Sequence, residues 1–325
     1  AAFKAPFRLA GTDYVITASI GVAGFPDDAF DEEQLLRNAD AAMYEAKQHG
    51  RNAVERFTGK SVAMSVRRVQ IEVDLLRALR DGEFRLHYQP IIDIHTLRTV
   101  GVEALLRWQH PARGLLMPVS FVDVIDHSDY AVSIGEWVLR EACAQVAQWR
   151  RRFGIPLRLS VNVSSRQLQR NHFGAILVSA LSASGLSADA VEIELTENTV
   201  VHDLESAGTV LTRLREIGVG VAIDDFGTGY NSLSYLKHFP LTALKIDRSF
   251  VSEIGVNAFD EAISSAVAAL GKALHIRVVA EGVERQAQMD SLLALGCDEV
   301  QGYFFGRPME AGELDHRLAA ERAAG

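Results

Sequence analysis

The chain has 325 residues, of which 48% are hydrophobic and 23% charged, and its formal net charge is −9. This composition is that of a globular protein and excludes a disordered, collagenous or coiled-coil chain as a whole. At roughly 100–200 residues per domain, the length predicts one large domain or two. The negative charge argues against a broad surface for DNA or RNA, so an anionic ligand would need metal ions or a well-placed arginine.

The two cysteines, Cys143 and Cys297, are too few for a disulfide framework or for a zinc site of their own. They predict reduced thiols in the core of a cytoplasmic protein. No stretch approaches the roughly 20 apolar residues needed to cross a bilayer, so we expect no membrane contact from this sequence. The chain begins at Ala1 without a signal-peptide pattern. We interpret it as a piece of a longer protein, which other regions could anchor to a membrane.

The first segment of the chain differs from the rest. Residues Tyr14–Ala23 are β-branched and partly alternating, which predicts a strand. Asp31 opens a predicted helix with apolar residues every three or four positions, Gly50 ends it, and Asn52–Phe57 predict a last strand. Two strands and one helix are too few to bury both faces of a sheet. Residues 1–58 are therefore predicted to be part of a domain.

A connecting helix is predicted at residues 59–80, and from residue 81 to 325 short apolar strands alternate with helical patterns. This alternation implies parallel strand pairing. Eight strands in roughly 240 residues match a closed α/β barrel of the (β/α)₈ TIM type. An open, doubly wound sheet is the alternative, but no glycine-rich dinucleotide loop follows the first strand. The predicted strands are residues 84–92, 99–108, 157–164, 191–197, 219–225, 242–247, 276–284 and 297–302.

Polar side chains recur where the predicted barrel strands end, and these ends form the rim that hosts the active site of such barrels. One carboxylate after a strand is usually a turn former or a helix cap. So many carboxylates at one rim, however, would repel one another and raise their pKa values unless divalent cations neutralised them. The residues concerned are Glu103, Asn162, Glu194, Glu197, Asp224, Asp225, Lys245, Asp247, Glu281, Glu284 and Gln301.

The type of ligand narrows the choice of metal. Carboxylate and amide oxygens favour Mg²⁺, Mn²⁺ or Ca²⁺, and none of the ten histidines has a zinc-like spacing. Neighbours on a strand point to opposite sides, so Asp224 and Asp225 could each bind a different ion at a loosening strand end. Two ions about 3.5–4 Å apart are the usual arrangement for in-line attack on a phosphodiester. Gly227 and Gly229 then predict either a simple flexible loop or a loop that moves beside the metal site.

Eight sequence blocks resemble one known family in order. They cover roughly residues 65–320 and are similar to EAL domains, the cyclic di-GMP phosphodiesterases of bacterial second-messenger signalling. The segments SIGVAGFP and ADAAMYEAKQHGRN upstream resemble the C-terminal end of a GGDEF (diguanylate cyclase) domain, whose signature loop is not in this chain. The blocks are YQPI at 88–91, EALLR at 103–107, NVS at 162–164, ELTE at 194–197, DDFGTGY at 224–230, LKID at 244–247, AEGVE at 280–284 and QGYFFGRP at 301–308.

The resemblance implies an activity. It implies hydrolysis of cyclic di-GMP to linear pGpG by a two-metal mechanism with Mg²⁺ or Mn²⁺, in a barrel that forms a homodimer and acts in the cytoplasm. No DNA or RNA partner is implied. For residues 1–58 it implies no cyclase activity in this chain, because the GTP-binding loop would lie upstream of Ala1.

The resemblance also implies metal ligands and catalytic residues. One ion is expected to bind Glu103, Asn162 and Glu194 together with Asp224, which bridges to the second ion. Lys245 is expected to contact and help activate the attacking water, and burial among metal ions can lower the pKa of such a lysine. Asp225 and Glu281 are the expected surroundings of the second ion. The implied catalytic set is Glu103, Asp225, Lys245 and Glu281.

Substrate contacts and supporting residues are implied in the same way. Arg107 is expected to hold a phosphate, Gln89 and Leu105 to border the guanine site, and Gln301 to orient water or metal. Glu197 is expected to hold the loop that follows Asp225. The implied substrate-binding residues are Gln89, Leu105, Arg107, Asp247, Gln301, Arg307 and Pro308, and the implied supporting residues are Glu197, Gly227, Thr228, Gly229 and Glu284.

The chain departs from the family pattern at a few peripheral positions. Asn231 replaces a usual Ser, and Asp123 and Asp126 lie in FVDVIDHSD, where FIPLAEESG is typical; these changes concern nucleotide affinity or loop coupling. The main alternative is a catalytically silent cyclic di-GMP receptor that signals through partner contacts, against which the complete set of acids argues. Without the resemblance, the alternative is a Mg²⁺-dependent enolising or lyase barrel.

Overall fold

The structure is a computed structural model that describes residues 7–9, 12–14, 18–48, 53–58, 70–75, 77–128, 130–169, 172–197, 199, 204–228 and 239–323. The chain divides into two compact units, Ala1–Leu75 and Leu76–Gly325. Among the described residues, no helix is both long and apolar enough to cross a membrane.

The first unit contains short strands and one long helix. Strands β1 (Phe7–Leu9) and β2 (Thr12–Tyr14) form an antiparallel pair. Strand β3 (Ile20–Val22), helix α1 (Glu32–Gln48) and strand β4 (Val54–Arg56) form a β–α–β unit whose strands are parallel. The predicted strand, helix and last strand therefore lie near their expected places, whereas β1 is not foreseen by the sequence pattern.

Side-chain hydrogen bonds fix the beginning of α1. The Asp31 carboxylate accepts a hydrogen bond from the backbone N–H of Gln34 at 2.7 Å, and the Gln34 side chain accepts one from the N–H of Phe30 at 2.9 Å. These two bonds satisfy backbone donors that a helix start leaves free. At Gly21 on β3, a Cβ atom would lie 2.0 Å from a backbone oxygen of α1, so glycine allows the close packing. Gly50, the expected end of the helix, lies outside the described residues.

The second unit is the predicted barrel. Eight strands close into a ring, in the order β5, β6, β8, β9, β10, β11, β12, β13 and back to β5, while β7 pairs with β6 outside the ring. Before it, the connecting helix is described at residues 70–75 and 77–80. The strands are β5 (Phe84–Asp93), β6 (Thr99–His110), β7 (Gly114–Leu116), β8 (Arg158–Asn162), β9 (Val191–Thr196), β10 (Gly220–Phe226), β11 (Ala243–Ile246), β12 (Arg277–Ala280) and β13 (Glu299–Val300).

Helices cover the outside of the barrel between its strands. The five helices that the sequence predicts at residues 134–151, 173–183, 204–217, 259–274 and 287–295 are found within three residues of those bounds. Short helices and the last helix are additions. The helices are α2 (Val122–His127), α3 (Ala131–Phe153), α4 (Ser165–Leu168), α5 (Phe173–Ser184), α6 (Leu204–Ile217), α7 (Arg248–Ser252), α8 (Ala258–Leu274), α9 (Gln286–Leu295) and α10 (Ala311–Ala323).

The first barrel strand runs opposite to the others. Strand β5 is antiparallel to β6 and β13, whereas the other six pairs in the ring are parallel. The prediction of parallel pairing is therefore wrong for β5. The reason is the short connection, residues 94–98, which suffices for a hairpin turn but not for a crossover helix. In this turn Asp93 accepts a hydrogen bond from the N–H of Thr96 at 2.7 Å.

Every second residue of a strand points into the barrel. The inward side chains form three layers. Along β12 and its extension, Arg277, Val279 and Glu281 belong to the lower, middle and upper layers. The middle layer is a small apolar cluster. The upper layer holds the predicted site, and the lower layer is ionic. The residues of the middle layer are Ile91, Ala222, Ala243 and Val279.

The lower layer is a buried ionic network. Arg277 donates hydrogen bonds to Glu192 at 2.7 Å and to Glu299 at 3.0 Å, and Arg158 also pairs with both carboxylates. The hydroxyl of Thr242 donates to Glu192 at 2.9 Å. Burial disfavours the ionised carboxylate, but the two arginines outweigh it and lower the pKa of Glu192. Opposite charges thus satisfy one another beneath the apolar layer.

We predict that Glu192→Gln lowers the free energy of unfolding by about 3 kcal/mol, because it leaves two largely buried arginines short of a counter-charge. Urea unfolding measures this change. The control is Glu136→Gln, which removes an exposed ion pair with Arg140 and should cost less than about 1 kcal/mol. Equal losses in the two variants would contradict the importance of the lower layer.

Candidate functional site

The upper layer collects the predicted residues at the rim. Asn162, Glu194 and Asp224 lie at or near the ends of β8, β9 and β10. Glu103 is in the middle of β6, because that strand continues past the rim to pair with β7. Gln89 of the antiparallel β5 lies directly opposite Glu103. The strand register therefore brings residues together that are far apart in the sequence.

A chain of side-chain hydrogen bonds crosses this rim. Glu103 accepts one from the amide of Asn162 at 2.6 Å and one from the amide of Gln301 at 2.6 Å. The Gln301 amide also donates to Gln89 at 3.1 Å, and Gln89 in turn donates to the carbonyl oxygen of Gly306 at 3.1 Å. These bonds orient the Glu103 carboxylate and the amides of Asn162, Gln301 and Gln89.

Lys245 lies at the centre of the rim carboxylates. It is 1% exposed, and its Nζ atom is 2.6 Å from Glu281, 2.8 Å from Glu194, 3.3 Å from Asp224 and 3.9 Å from Glu103. Of the described residues, it alone places a positive charge among these four carboxylates. One ammonium cannot neutralise four ionised carboxylates, so the cluster favours further positive charge or bound protons.

The pKa values follow from this imbalance. Burial raises the pKa of Glu194 well above its ordinary value and that of Glu281 to about 8, with neighbouring carboxylates adding to the effect and Lys245 opposing it. Burial disfavours the Lys245 ammonium, yet the four carboxylates outweigh burial and raise the pKa of Lys245 well above its ordinary value. The lower pKa expected for Lys245 among bound metal ions stays a prediction.

Asp225 takes an unusual backbone conformation next to Asp224. Its φ angle is 54°, in the left-handed region that non-glycine residues seldom adopt, and its N–H donates to the Asp224 carboxylate at 3.0 Å. Burial, Asp224 and a side-chain hydrogen bond to Asp247 raise the pKa of Asp225 to about 7. Burial opposes ionisation of Asp247 as well, but hydrogen bonds from Ser249 lower the pKa of that carboxyl.

These side chains fit a divalent cation. Potential ligand oxygens of Asp224, Asp225 and Glu281 all lie within 4.8 Å of one another. Together with Glu103, Glu194 and the Asn162 amide they form an all-oxygen donor set when the amide presents its oxygen, which suits Mg²⁺ or Mn²⁺. The bridging role expected of Asp224 stays a prediction.

A cleft of about 200 Å³ opens over the rim. Gln89 and Leu105, expected near the guanine, line it, as do Gln301 and Glu284. The described residues that line it are Gln89, Glu103, Leu105, Asp224, Arg248, Glu281, Gly282, Glu284, Gln301, Gly302 and Tyr303.

Four expected substrate contacts, Arg107, Asp247, Arg307 and Pro308, lie outside this lining. Arg107 is buried beside it, with an Nε–H that has no partner among the described residues, and burial lowers the pKa of its guanidinium. Arg307 stacks on the ring of Tyr303 at 4.3 Å, and the carbonyl oxygen of Pro308 is 3.3 Å from the His87 ring. Their substrate roles stay predictions.

The loop after β10 is described only in part. Gly227 has a φ of 98°, and both the N–H and the hydroxyl of Thr228 donate to the carbonyl oxygen of Asp225. Glu197 is buried directly after β9. Gly229 and Asn231 lie outside the described residues, so the expected hold of Glu197 on this loop also stays a prediction.

Four lining residues are missed by the sequence reasoning, the glycines Gly282 and Gly302 and two residues with long side chains. Arg248 follows Asp247 directly, and Tyr303 lies two residues after Gln301 in the block QGYFFGRP. A search for residues adjoining the predicted strand ends would have found both. The residues predicted from the sequence are mostly acids, because the argument for a site started from the repulsion expected among carboxylates at the strand ends.

Comparisons with known proteins agree with this geometry. The EAL domain pattern matches residues 72–308, and the pattern of the diguanylate cyclase, GGDEF domain matches residues 1–53. The predicted resemblance is confirmed for both parts. The barrel is also confirmed, because solved EAL structures share its fold.

Two relatives from Pseudomonas aeruginosa match almost the whole chain. The bifunctional diguanylate cyclase/cyclic di-GMP phosphodiesterase MucR is 42% identical over 95% of the chain, and the cyclic di-GMP phosphodiesterase NbdA is 39% identical over 98% of it. The chain spans only 45% and 41% of their respective lengths. A structure titled PaMucR Phosphodiesterase, c-di-GMP complex is 42% identical, with a TM-score of 0.73 over 75% of this chain and 99% of that one.

The raised pKa values predict a pH-dependent response to metal ions. In the fold, Glu281 and Asp225 keep protons up to about pH 8 and 7, whereas the unfolded chain releases them near pH 4. Without divalent cations, stability should therefore be lost as the pH rises from about 5 to about 8. Because a cation must displace these protons, Mg²⁺ should raise the melting temperature more at about pH 8 than at about pH 6.

Thermal unfolding with and without Mg²⁺ at the two pH values tests this expectation. The variant Glu281→Gln has no carboxyl proton to release at this position and should show a smaller pH dependence. An equal Mg²⁺ effect at both pH values in the unmodified protein would contradict the coupling of protons and metal.

Proposed function

The chain belongs to the EAL domain family, and from this membership we propose that residues 81–325 hydrolyse cyclic di-GMP to linear pGpG. MucR and NbdA, which carry this activity in their names, support the substrate. The observation that carries the proposal is the complete rim, in which Glu103, Glu194, Asp224 and Glu281 surround the buried Lys245. A receptor that only binds the nucleotide would not need so much unbalanced buried charge.

The rim residues would bind two metal ions. Glu103, Asn162, Glu194 and Asp224 would hold one Mg²⁺ or Mn²⁺ ion, and Asp224, Asp225 and Glu281 a second. When bound, the two ions would activate the attacking water and offset negative charge on the phosphate. Gln301 fixes the orientation of Glu103 through its 2.6 Å hydrogen bond.

Lys245 acts beside these carboxylates as a proton-bearing cation. Its raised pKa keeps it protonated at neutral pH in the protein without metal ions. As the resemblance implies, this ammonium would contact the attacking water and help to orient it for in-line attack. Arg107 would contact a substrate phosphate, and Gln89 and Leu105 would border the guanine.

The decisive experiment measures turnover of cyclic di-GMP by the purified chain with Mg²⁺, with Mn²⁺ and with a chelator. We expect linear pGpG with either ion and no product with the chelator. Tight nucleotide binding without product under all conditions would replace the proposal with the silent receptor that signals through partner contacts. Absence of guanine nucleotide binding would reject both.

Other properties are proposed on the resemblance alone. We retain the division into a GGDEF fragment at 1–58, a connecting helix at 59–80 and the barrel at 81–325. The homodimer and the cytoplasmic location likewise stay predictions. Analytical ultracentrifugation of the chain tests the dimer.

Glu103→Ala should abolish hydrolysis, because it removes a metal ligand and the acceptor that orients both Asn162 and Gln301. Binding of cyclic di-GMP should fall less, since Arg107 and the base contacts remain. Product formation and calorimetric binding by the same folded variant separate the two effects. Unchanged turnover would remove Glu103 from the metal site.

Glu197→Ala should lower turnover and metal affinity by roughly 10–100-fold, the usual effect of removing a residue that positions metal ligands. The expectation rests on the burial of Glu197 directly after β9 and on the hold on the loop after Asp225 that the resemblance implies. Metal titrations of activity test it, with circular dichroism as the control for folding. If turnover and metal dependence stay unchanged, Glu197 only caps the segment that follows it.

A further inference from the structure

We propose that Arg248 binds the phosphate of the substrate that is not being cleaved, and so selects cyclic dinucleotides over simple phosphodiesters. The inference rests on the proposed function. It concerns a residue that lies outside the acidic rim but faces the same cleft.

The Arg248 side chain makes two contacts beside the cleft. Its side-chain carbons pack over Gly282, where a Cβ atom would lie only 2.4 Å from the Arg248 Cγ atom. Its Nη2 atom is 3.5 Å from a carboxylate oxygen of Glu284. Gly282 and Glu284 both follow Glu281 closely in the sequence. The two contacts therefore place Arg248 near a residue of the proposed metal site.

The charge around the cleft makes this arginine distinctive. Of the described residues that line the cleft, Arg248 alone carries a positive charge, whereas Glu103, Asp224, Glu281 and Glu284 are acidic. The divalent cations proposed for the rim would draw one phosphate to the carboxylates. Among the described lining residues, a second phosphate in the same cleft would meet acidic or neutral side chains except at Arg248.

The substrate requires such a contact because both phosphates belong to one small ring. When one phosphate lies at the rim, the other stays in or near the same cleft. A guanidinium suits this second phosphate, since its parallel N–H groups can bind two phosphate oxygens at once. The present partner of Arg248 is easily exchanged, because the pair with Glu284 is long, with the two side chains 64% and 46% exposed.

The test compares two substrates that differ in the number of phosphates. Cyclic di-GMP carries two, whereas bis(p-nitrophenyl) phosphate carries only the phosphate that is cleaved. We expect Arg248→Ala to raise KM for cyclic di-GMP by about 10–100-fold, the effect of losing hydrogen bonds to a charged group. The value of kcat for cyclic di-GMP should change by less than about threefold, and kcat/KM for bis(p-nitrophenyl) phosphate should stay unchanged.

Two further variants sharpen the result. Arg248→Lys keeps the charge but not the paired donors, and should give an intermediate KM. Arg140→Ala is the matched control, because Arg140 forms an ion pair with Glu136 of similar exposure, 61% and 44%, on helix α3. It should leave both substrates unaffected.

The outcomes separate this inference from the proposed function. If the unmodified protein does not hydrolyse cyclic di-GMP, the proposed function fails and the inference fails with it. If the unmodified protein does so and Arg248→Ala has the same KM, only the inference is overturned. Equal losses on both substrates would also overturn it, because they would show a general effect on the rim.

Discussion

The structure of the rim depends on one electrostatic constraint, the burial of four carboxylates around a single ammonium. Desolvation and mutual repulsion both oppose ionisation of Glu194 and Glu281. Lys245 reduces that repulsion but cannot remove it, so the site exchanges protons for cations readily. The arrangement thus keeps a set of hard oxygen ligands together while leaving them short of positive charge, which is the condition under which a divalent cation binds most favourably.

The lower layer of the barrel shows the opposite solution to the same problem. There Arg158 and Arg277 match Glu192 and Glu299 in number, and the hydrogen bonds between them are short. A matched network needs no further ion and holds the strands in register. The apolar middle layer separates the two ionic layers of the barrel. Charges balance in the lower layer, whereas carboxylates outnumber the ammonium at the rim.

Much of the barrel could be predicted from the sequence, because each strand is a short apolar run with a polar residue at its end. The direction of β5 could not be read from such runs, since it depends on the five-residue turn that follows. Asn162 and Glu194 were assigned to the rim by position alone, and the strand register does place them there. Arg248 directly follows a predicted strand end, but the sequence does not show that Gly282, 34 residues later, leaves space for its side chain.

In the proposed function, charge links cation binding to substrate binding at this site. The rim carboxylates would repel the dianionic nucleotide unless cations offset their charge, and the proton that the raised pKa of Glu281 retains must leave before a cation binds there. Each bound cation therefore improves the site for the nucleotide, and by the reciprocity of linked equilibria the nucleotide improves the site for the cations. Arg248 lies outside this linkage, because its charge is permanent and its partner Glu284 is exposed. In this proposal the rim attracts a phosphate only when cations are bound, whereas Arg248 attracts one at all times. Only a ligand with two separated phosphates can use both attractions.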